Sequence, residues 1–233
     1  MMPGKYGDSS MIGKRKNMGF TLIELLVAMA VVSIVMAAVV SAYQLQVRGK
    51  NTQDALTDMN QTARSALEIM TYEIRTAGCD PNRTADAGIV TADASQLDIT
   101  MDIGDGASFE PDGDLDDPNE RVSYTLNGGI LERTTGVAGI AQPLARNVDA
   151  LNFVYLDEDG NITATPAEVR TIEVAIVARS GETASGFMHS FTDTRNYQNL
   201  QGDVIFGPAS ATFDDSFRRL LLTKSITCYN MAN

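Results

Sequence analysis

The most apolar part of the chain is a single run close to the N-terminus. From Phe20 to Tyr43 the only charged side chain is Glu24. As a helix, this run would extend about 36 Å and could cross the roughly 30 Å hydrocarbon core of a bilayer. A basic cluster, Lys14-Arg15-Lys16, precedes it, and such a cluster keeps the leading residues in the cytoplasm. The pattern predicts one membrane-spanning helix over residues 20–43.

After Tyr43 the pattern becomes that of an amphipathic helix. Apolar residues recur at steps of three and four, the spacing of one helix face. They are Leu56, Met59, Ala63, Ala66, Met70, Ile74 and Ala77. Gly78 is suited to cap this helix and Pro81 prevents its continuation, so we predict a helical segment over 44–78. A coiled coil is the alternative, but the short run with few charges favours packing on a sheet.

From Ala87 onward the spacing of apolar residues shifts toward two, the period of half-buried strands. The alternating sets are Leu97, Ile99 and Met101; Val122, Tyr124 and Leu126; Leu151, Phe153 and Tyr155; and Ile172, Val174, Ile176 and Ala178, with a last strand from Leu220 to Cys228. Gly128-Gly129 and Asp159-Gly160 predict hairpin turns. Residues 181–216 have weak periodicity and predict a long surface excursion. The expected fold class is α+β, a long N-terminal helix packed on an antiparallel β-sheet domain over 79–233.

Charge and composition argue against two classes of function, nucleic-acid binding and catalysis. The chain has a formal net charge of −12, and beyond residue 19 it carries 14 basic and 29 acidic residues. A body this acidic repels phosphate backbones, so we expect no nucleic-acid partner. There is one histidine and no G-x-S-x-G segment, so we expect no enzyme. A paired-carboxylate hydrolase is the enzyme class that the abundant Asp and Glu residues leave open.

The two cysteines, Cys79 and Cys228, are too far apart in sequence for a metal knuckle. If the domain is exported to an oxidising compartment, a disulfide between them is the natural interpretation. Two buried free thiols are the alternative.

An acidic segment, DGASFEPDGDLDDPNE, occupies residues 105–120. It places Asp112, Asp114, Asp116 and Glu120 at positions one, three, five and nine of a loop. Alternating carboxylates in a tight loop can converge on a hard cation, and Ca²⁺ takes about six to eight oxygen ligands. The loop is not an EF-hand, since Asp117 stands where such loops require glycine. We expect no required cofactor; the loop is a candidate calcium site, and a solvated acidic turn, which is what charge runs usually are, is the alternative.

Glu24 distinguishes the apolar run from an ordinary membrane anchor, in which an unpaired carboxylate would cost several kcal/mol. The segment Gly19-Phe20-Thr21-Leu22-Ile23-Glu24 resembles the processing site of type IV prepilins and type II secretion pseudopilins. The resemblance implies that residues 1–19 are a leader, that prepilin peptidase cleaves between Gly19 and Phe20, and that the Phe20 amine is methylated. That ammonium and Glu24 of a neighbouring subunit would neutralise each other in a filament. A plain signal anchor is the alternative.

Three later segments, NQTARSALEIMTYEIRTAGCDP, EVRTIEVAIVARS and RRLLLTKSITCYN, resemble the minor pilin family called PilW. The resemblance implies a subunit of the tip complex that initiates pilus assembly. Its partners would be other minor pilins, the major pilin, prepilin peptidase, the inner-membrane assembly platform and a tip adhesin. The expected location is the bacterial inner membrane, with the C-terminal domain in the periplasm, and then the pilus. A GspJ-like pseudopilin of type II secretion is the nearest alternative, and a membrane-anchored periplasmic binding domain is one of another class.

Overall fold

A 55-residue helix, α1 (Leu22–Thr76), opens the fold. The computed structural model describes residues 19–104, 110–181, 191–207, 213–215 and 217–231. The chain divides into two units after Val47. The first unit contains the apolar part of α1, whose apolar side chains are exposed from Leu22 to Leu45. The helix also runs unbroken through Gly49.

Antiparallel strands make up the rest of the second unit. They are β1 (Ile89–Asp93), β2 (Gln96–Thr100), β3 (Arg121–Asn127), β4 (Ile130–Thr135), β5 (Gln142–Arg146), β6 (Val148–Leu156), β7 (Thr171–Arg179), β8 (Phe191–Asp193), β9 (Tyr197–Gln198), β10 (Val204–Phe206), β11 (Phe213–Asp215) and β12 (Arg219–Thr227). A five-stranded sheet has the order β1-β2-β3-β4-β5, and a three-stranded sheet has the order β12-β7-β6. Strands β9 with β10 and β8 with β11 form two small pairs. Short 3-10 helices cover Pro166–Glu168 and Tyr229–Met231.

The second unit buries one face of α1 against both larger sheets. The buried helix residues are Met59, Ala63, Ala66, Leu67, Met70, Thr71, Glu73 and Ile74. Met70 and Ile74 share one core cluster with residues of both sheets, among them Leu97 and Ile176. This confirms the α+β prediction and the apolar stripe on the helix. A sheet with one apolar face needs a second layer to bury that face, and the apolar stripe of α1 provides this layer.

The predicted β3–β4 hairpin is confirmed. Asn127 pairs with Ile130, and Gly128 and Gly129 between them have positive φ values of 57° and 81°. A two-residue turn with positive φ at both positions matches the twist of paired strands, which is why glycine occupies both. The helix end is confirmed as well, since Gly78 has φ 76° and donates its N–H to the Thr100 carbonyl at 2.9 Å.

The stretch over 181–216, predicted to be a long surface excursion, contains short strands that the sequence pattern did not indicate. The described residues of this stretch contain β8, β9, β10 and β11, each two or three residues long. Asp193 accepts hydrogen bonds from Arg195 and from the Tyr197 hydroxyl, at 3.0 and 2.7 Å. The Arg195 guanidinium holds the pKa of Asp193 at about 2. Strands this short carry no readable alternation. Tyr197 of β9 and Phe206 of β10 nevertheless pack in an apolar cluster with Val177, and the polar contacts of Asp193 add to that packing.

An ion pair between the buried Glu73 and the partly buried Arg133 fixes α1 against the five-stranded sheet. Glu73 on the helix accepts hydrogen bonds from the Tyr124 hydroxyl on β3 and from Nε of Arg133 on β4, the latter at 2.9 Å. Burial and then the negative charge of Glu73 raise the pKa of Tyr124. Removing one partner of such a pair leaves an uncompensated charge and costs about 3–5 kcal/mol. The contact therefore selects one rotational position of the helix on the sheet.

Replacing Met70 by alanine tests whether the helix stripe is part of the domain core. Met70 has no exposed surface, so we expect Met70→Ala to lower the free energy of unfolding by about 2–5 kcal/mol, the cost of a cavity at a packed site. The neighbouring Tyr72 is 72% exposed, and Tyr72→Ala should change stability by less than about 0.5 kcal/mol. Urea denaturation of the detergent-purified protein measures both, and equal losses would contradict the packing.

Candidate functional site

The N-terminal end of α1 is organised by hydrogen bonds between Thr21 and Glu24. The Glu24 carboxylate oxygen Oε2 accepts from the Thr21 backbone N–H and from its hydroxyl, each at 2.9 Å. The Glu24 N–H donates to the Thr21 hydroxyl oxygen at 3.3 Å. This reciprocal arrangement is a capping box, which satisfies N–H groups that the first turn of a helix leaves without partners. Thr21 and Glu24 therefore form one hydrogen-bonded unit.

Thr21 lies outside the functional residues predicted from the sequence. The sequence does contain the pattern that predicts its capping role. Threonine followed three residues later by glutamate, in front of an apolar run, is typical of a capping box. Glu24 was interpreted through its charge alone. The structure adds that the carboxylate has a local partner before any neighbouring subunit contributes one.

The apolar part of α1 satisfies its own polar groups. Ser33 and Ser41 donate their hydroxyls to the carbonyls of Met29 and Ala37, both at 2.8 Å. Within α1, a window of mean hydropathy 2.7 contains no residue buried in the structure, and by length and composition the helix could cross a membrane. A helix in lipid must meet its hydrogen bonds internally. Glu24 is then the one charge in this segment that needs a partner from outside.

The Gly19–Phe20 bond lies just ahead of the first helical turn. Both residues are exposed, and Phe20 retains 91% of its surface. A peptide bond outside regular structure can enter a protease site without unfolding a helix. Cleavage there, and methylation of Phe20, stay predictions.

The four residues of the predicted calcium set differ in burial and in hydrogen bonding. Asp112, Asp114 and Asp116 are exposed, and the first two accept backbone N–H groups two residues further on. Glu120 is fully buried. Its oxygens accept the N–H groups of Ile103 and Gly104, both at 3.0 Å, and of Asp117 at 3.2 Å.

Within the described residues, no three His, Cys, Asp or Glu side chains are gathered as metal ligands. Calcium binding by Asp112, Asp114, Asp116 and Glu120 stays a prediction. Residues 105–109 of the acidic segment lie outside the described residues.

Comparison with known proteins supports the interpretation of the N-terminus. Residues 14–40 match the prokaryotic N-terminal methylation motif. A type IV-like pilin from Thermus thermophilus has a similar structure, with a TM-score of 0.52 over 75% of this chain and 98% of that one, at 15% sequence identity. The chain carries the prepilin methylation motif on a type IV pilin fold. No curated protein matches it.

In this pilin-like fold, both cysteines belong to the domain core. Cys228 is buried and Cys79 packs against the same cluster. The structure has them as free thiols. Burial raises the pKa of Cys228 to about 12, and burial followed by the charges of Asp102 and Asp80 raises that of Cys79. Such thiols react slowly while reduced, and the disulfide stays a prediction.

Peptide mapping tests that disulfide directly. We expect unreduced protein isolated from the native host to yield one cross-linked peptide pair containing Cys79 and Cys228. Cys79→Ser should then lower the free energy of unfolding by about 2–5 kcal/mol, because the cross-link restricts the unfolded chain. The same substitution in fully reduced protein is the control and should have a smaller effect. Alkylation of both cysteines in the unreduced native protein would contradict the pairing.

Proposed function

We propose that the protein is a minor pilin, a structural subunit that enters a type IV pilus through its N-terminal helix. The observation that carries the proposal is Glu24, a carboxylate one turn into an exposed apolar helix and five residues after Gly19. The methylation motif over residues 14–40 and the pilin-like fold support it. A filament of packed apolar helices provides the burial that these side chains lack in the single chain.

Cleavage between Gly19 and Phe20 would create an ammonium group four residues before Glu24. In a filament, the Phe20 ammonium of one subunit pairs with the Glu24 carboxylate of a neighbour, and the two charges are buried together. The Thr21 capping box holds the Glu24 carboxylate at the first turn until that pairing forms. The polar contact then sets the axial register, because apolar packing alone is non-directional.

The place of this subunit at the pilus tip is supported by the three PilW-like segments. We propose that it acts with other minor pilins to initiate assembly of the major pilin and to hold a tip adhesin. It would be made in the inner membrane with residues 79–233 in the periplasm, and it would leave the membrane as the filament grows. A GspJ-like role in type II secretion uses the same N-terminal chemistry, and the genes that neighbour this one discriminate the two.

A second candidate is a membrane-anchored binding domain, favoured by one cleft. A cleft of about 490 Å³ lies beside β6. Asn152, Tyr155 and Asn199 contribute to its lining, as does Asp203, the one carboxylate among the described lining residues. Asp203 binds the Asn199 side chain at 3.3 Å. The lining therefore lacks the carboxylate pair of a glycoside hydrolase, and a binding role does not explain Glu24 in the apolar helix.

Glu24→Ala tests filament incorporation in the native host. We expect cleavage after Gly19 to continue, while the amount of subunit in sheared pili falls by about tenfold or more, since an unpaired ammonium in an apolar core costs several kcal/mol. Asp54→Ala is the matched control, because Asp54 is an exposed acid on the same helix. Immunoblots of the pilus and membrane fractions measure the ratio of subunit in pili to subunit in the membrane. Normal incorporation of Glu24→Ala would refute the charge-pairing mechanism.

Gly19→Val tests the processing site separately. A branched side chain at the residue before the cut should block the peptidase, so the leader stays attached and the protein stays in the inner membrane. Intact-mass spectrometry of the membrane fraction reads this outcome. The wild type should show a chain that begins at methylated Phe20. A wild-type chain with its leader attached, or cut beyond the apolar run, would refute the prepilin assignment and favour a signal anchor or a cleaved secretory signal.

A further inference from the structure

Asp102 is a buried carboxylate at the junction of two loops. Its side chain has no exposed surface. Its backbone N–H donates to the Cys79 carbonyl at 2.7 Å, which holds it beside the loop over residues 79–88. The Asn82 side chain of that loop donates to the Pro111 carbonyl at 2.9 Å, which joins it to the loop over residues 110–120. We refer to these two segments as the 79–88 loop and the 110–120 loop.

Among the described residues, the Asp102 carboxylate is without a hydrogen-bond partner. Neither oxygen accepts a hydrogen bond from the described residues. The ion pairs among those residues also do not include Asp102. The Gly113 N–H lies near enough to act against the rise in the pKa of Asp102, but it does not reach hydrogen-bond geometry. A buried ionised carboxylate without a partner is strongly unfavourable, so a proton or a cation must neutralise it.

The surroundings of Asp102 are negative. Burial raises the pKa of Asp102, and the charge of Glu120 followed by those of Asp80 and Asp112 raises it further. Backbone N–H groups already bind both oxygens of Glu120 and of Asp80. Asp112 differs, because it is exposed and a backbone N–H binds only its Oδ1. Asp102 and Asp112 therefore have oxygens available for a cation.

We propose that the 79–88 and 110–120 loops form a site for a hard divalent cation such as Ca²⁺, with Asp102 as the buried ligand and Asp112 as the exposed one. Backbone carbonyls and water complete the oxygen shell that Ca²⁺ accepts. The site differs from the one predicted from the sequence, because Asp102 takes the place of Glu120, whose oxygens are bound to the backbone. The proposal does not depend on the pilin function.

Calcium titration of the full-length protein in detergent, after treatment with EDTA, tests the site. We expect a binding heat and a rise in melting temperature near neutral pH. Asp102→Asn and Asp112→Asn should each weaken binding by about tenfold or more, since each removes one anionic ligand. Asp114→Asn is the matched control: Asp114 is exposed in the same loop, but the charges that chiefly raise the pKa of Asp102 are those of Glu120, Asp80 and Asp112, so binding should be retained.

Several outcomes would overturn the proposal. Wild-type protein that binds no Ca²⁺ would do so, and so would Asp102→Asn binding as tightly as wild type. If Asp102→Asn fails to fold by circular dichroism, Asp112→Asn decides, and wild-type affinity in that variant refutes the site. A proton is the rival neutraliser. Since the raised pKa favours the protonated form in the folded state, stability in EDTA would then fall as pH rises, and Ca²⁺ would not restore it.

Discussion

A negative charge within an apolar helix needs a partner, and Glu24 is the residue on which this constraint acts. Water can solvate the carboxylate in an isolated chain, but neither lipid nor a bundle of apolar helices can. The Thr21 hydroxyl and N–H supply a local partner at the first helical turn. Neutral donors do not remove the net charge, so a cation from outside the helix is still required. A pilin-like subunit obtains one if cleavage makes the residue after Gly19 a free amine.

The same helix performs two different packing tasks along its length. Through Leu45 its apolar side chains are exposed on every face, which suits an environment of lipid or of similar helices. From Met59 to Ile74 one face is buried by the sheets of its own domain. The change occurs where the sequence passes from an apolar run to a repeat of three and four. Glu73, bound to Tyr124 and Arg133, then orients the buried face.

The acidic residues of the domain occur in three different structural settings. Some acidic side chains, such as Asp114 and Asp116, are exposed to solvent. Glu120 and Asp80 are instead bound by backbone N–H groups, which makes them structural. Asp102 belongs to neither class, since it is buried and has no hydrogen-bond partner in the part of the chain that the structure describes. A count of carboxylates in a loop cannot distinguish these three situations, although their chemistry differs.

Local pattern determined much of this protein. The apolar run, the helix stripe from Met59 to Ile74 and the Gly128-Gly129 turn follow from residue spacing, because helix and strand periods act over a few neighbours. The Gly19-to-Glu24 motif is equally local. The tertiary structure alone decided that Glu73 meets Tyr124 and Arg133, that Glu120 turns inward, and that Asp102 is buried between two loops. Those contacts join residues distant along the chain, and their energies depend on desolvation, which exists only once the layers have packed.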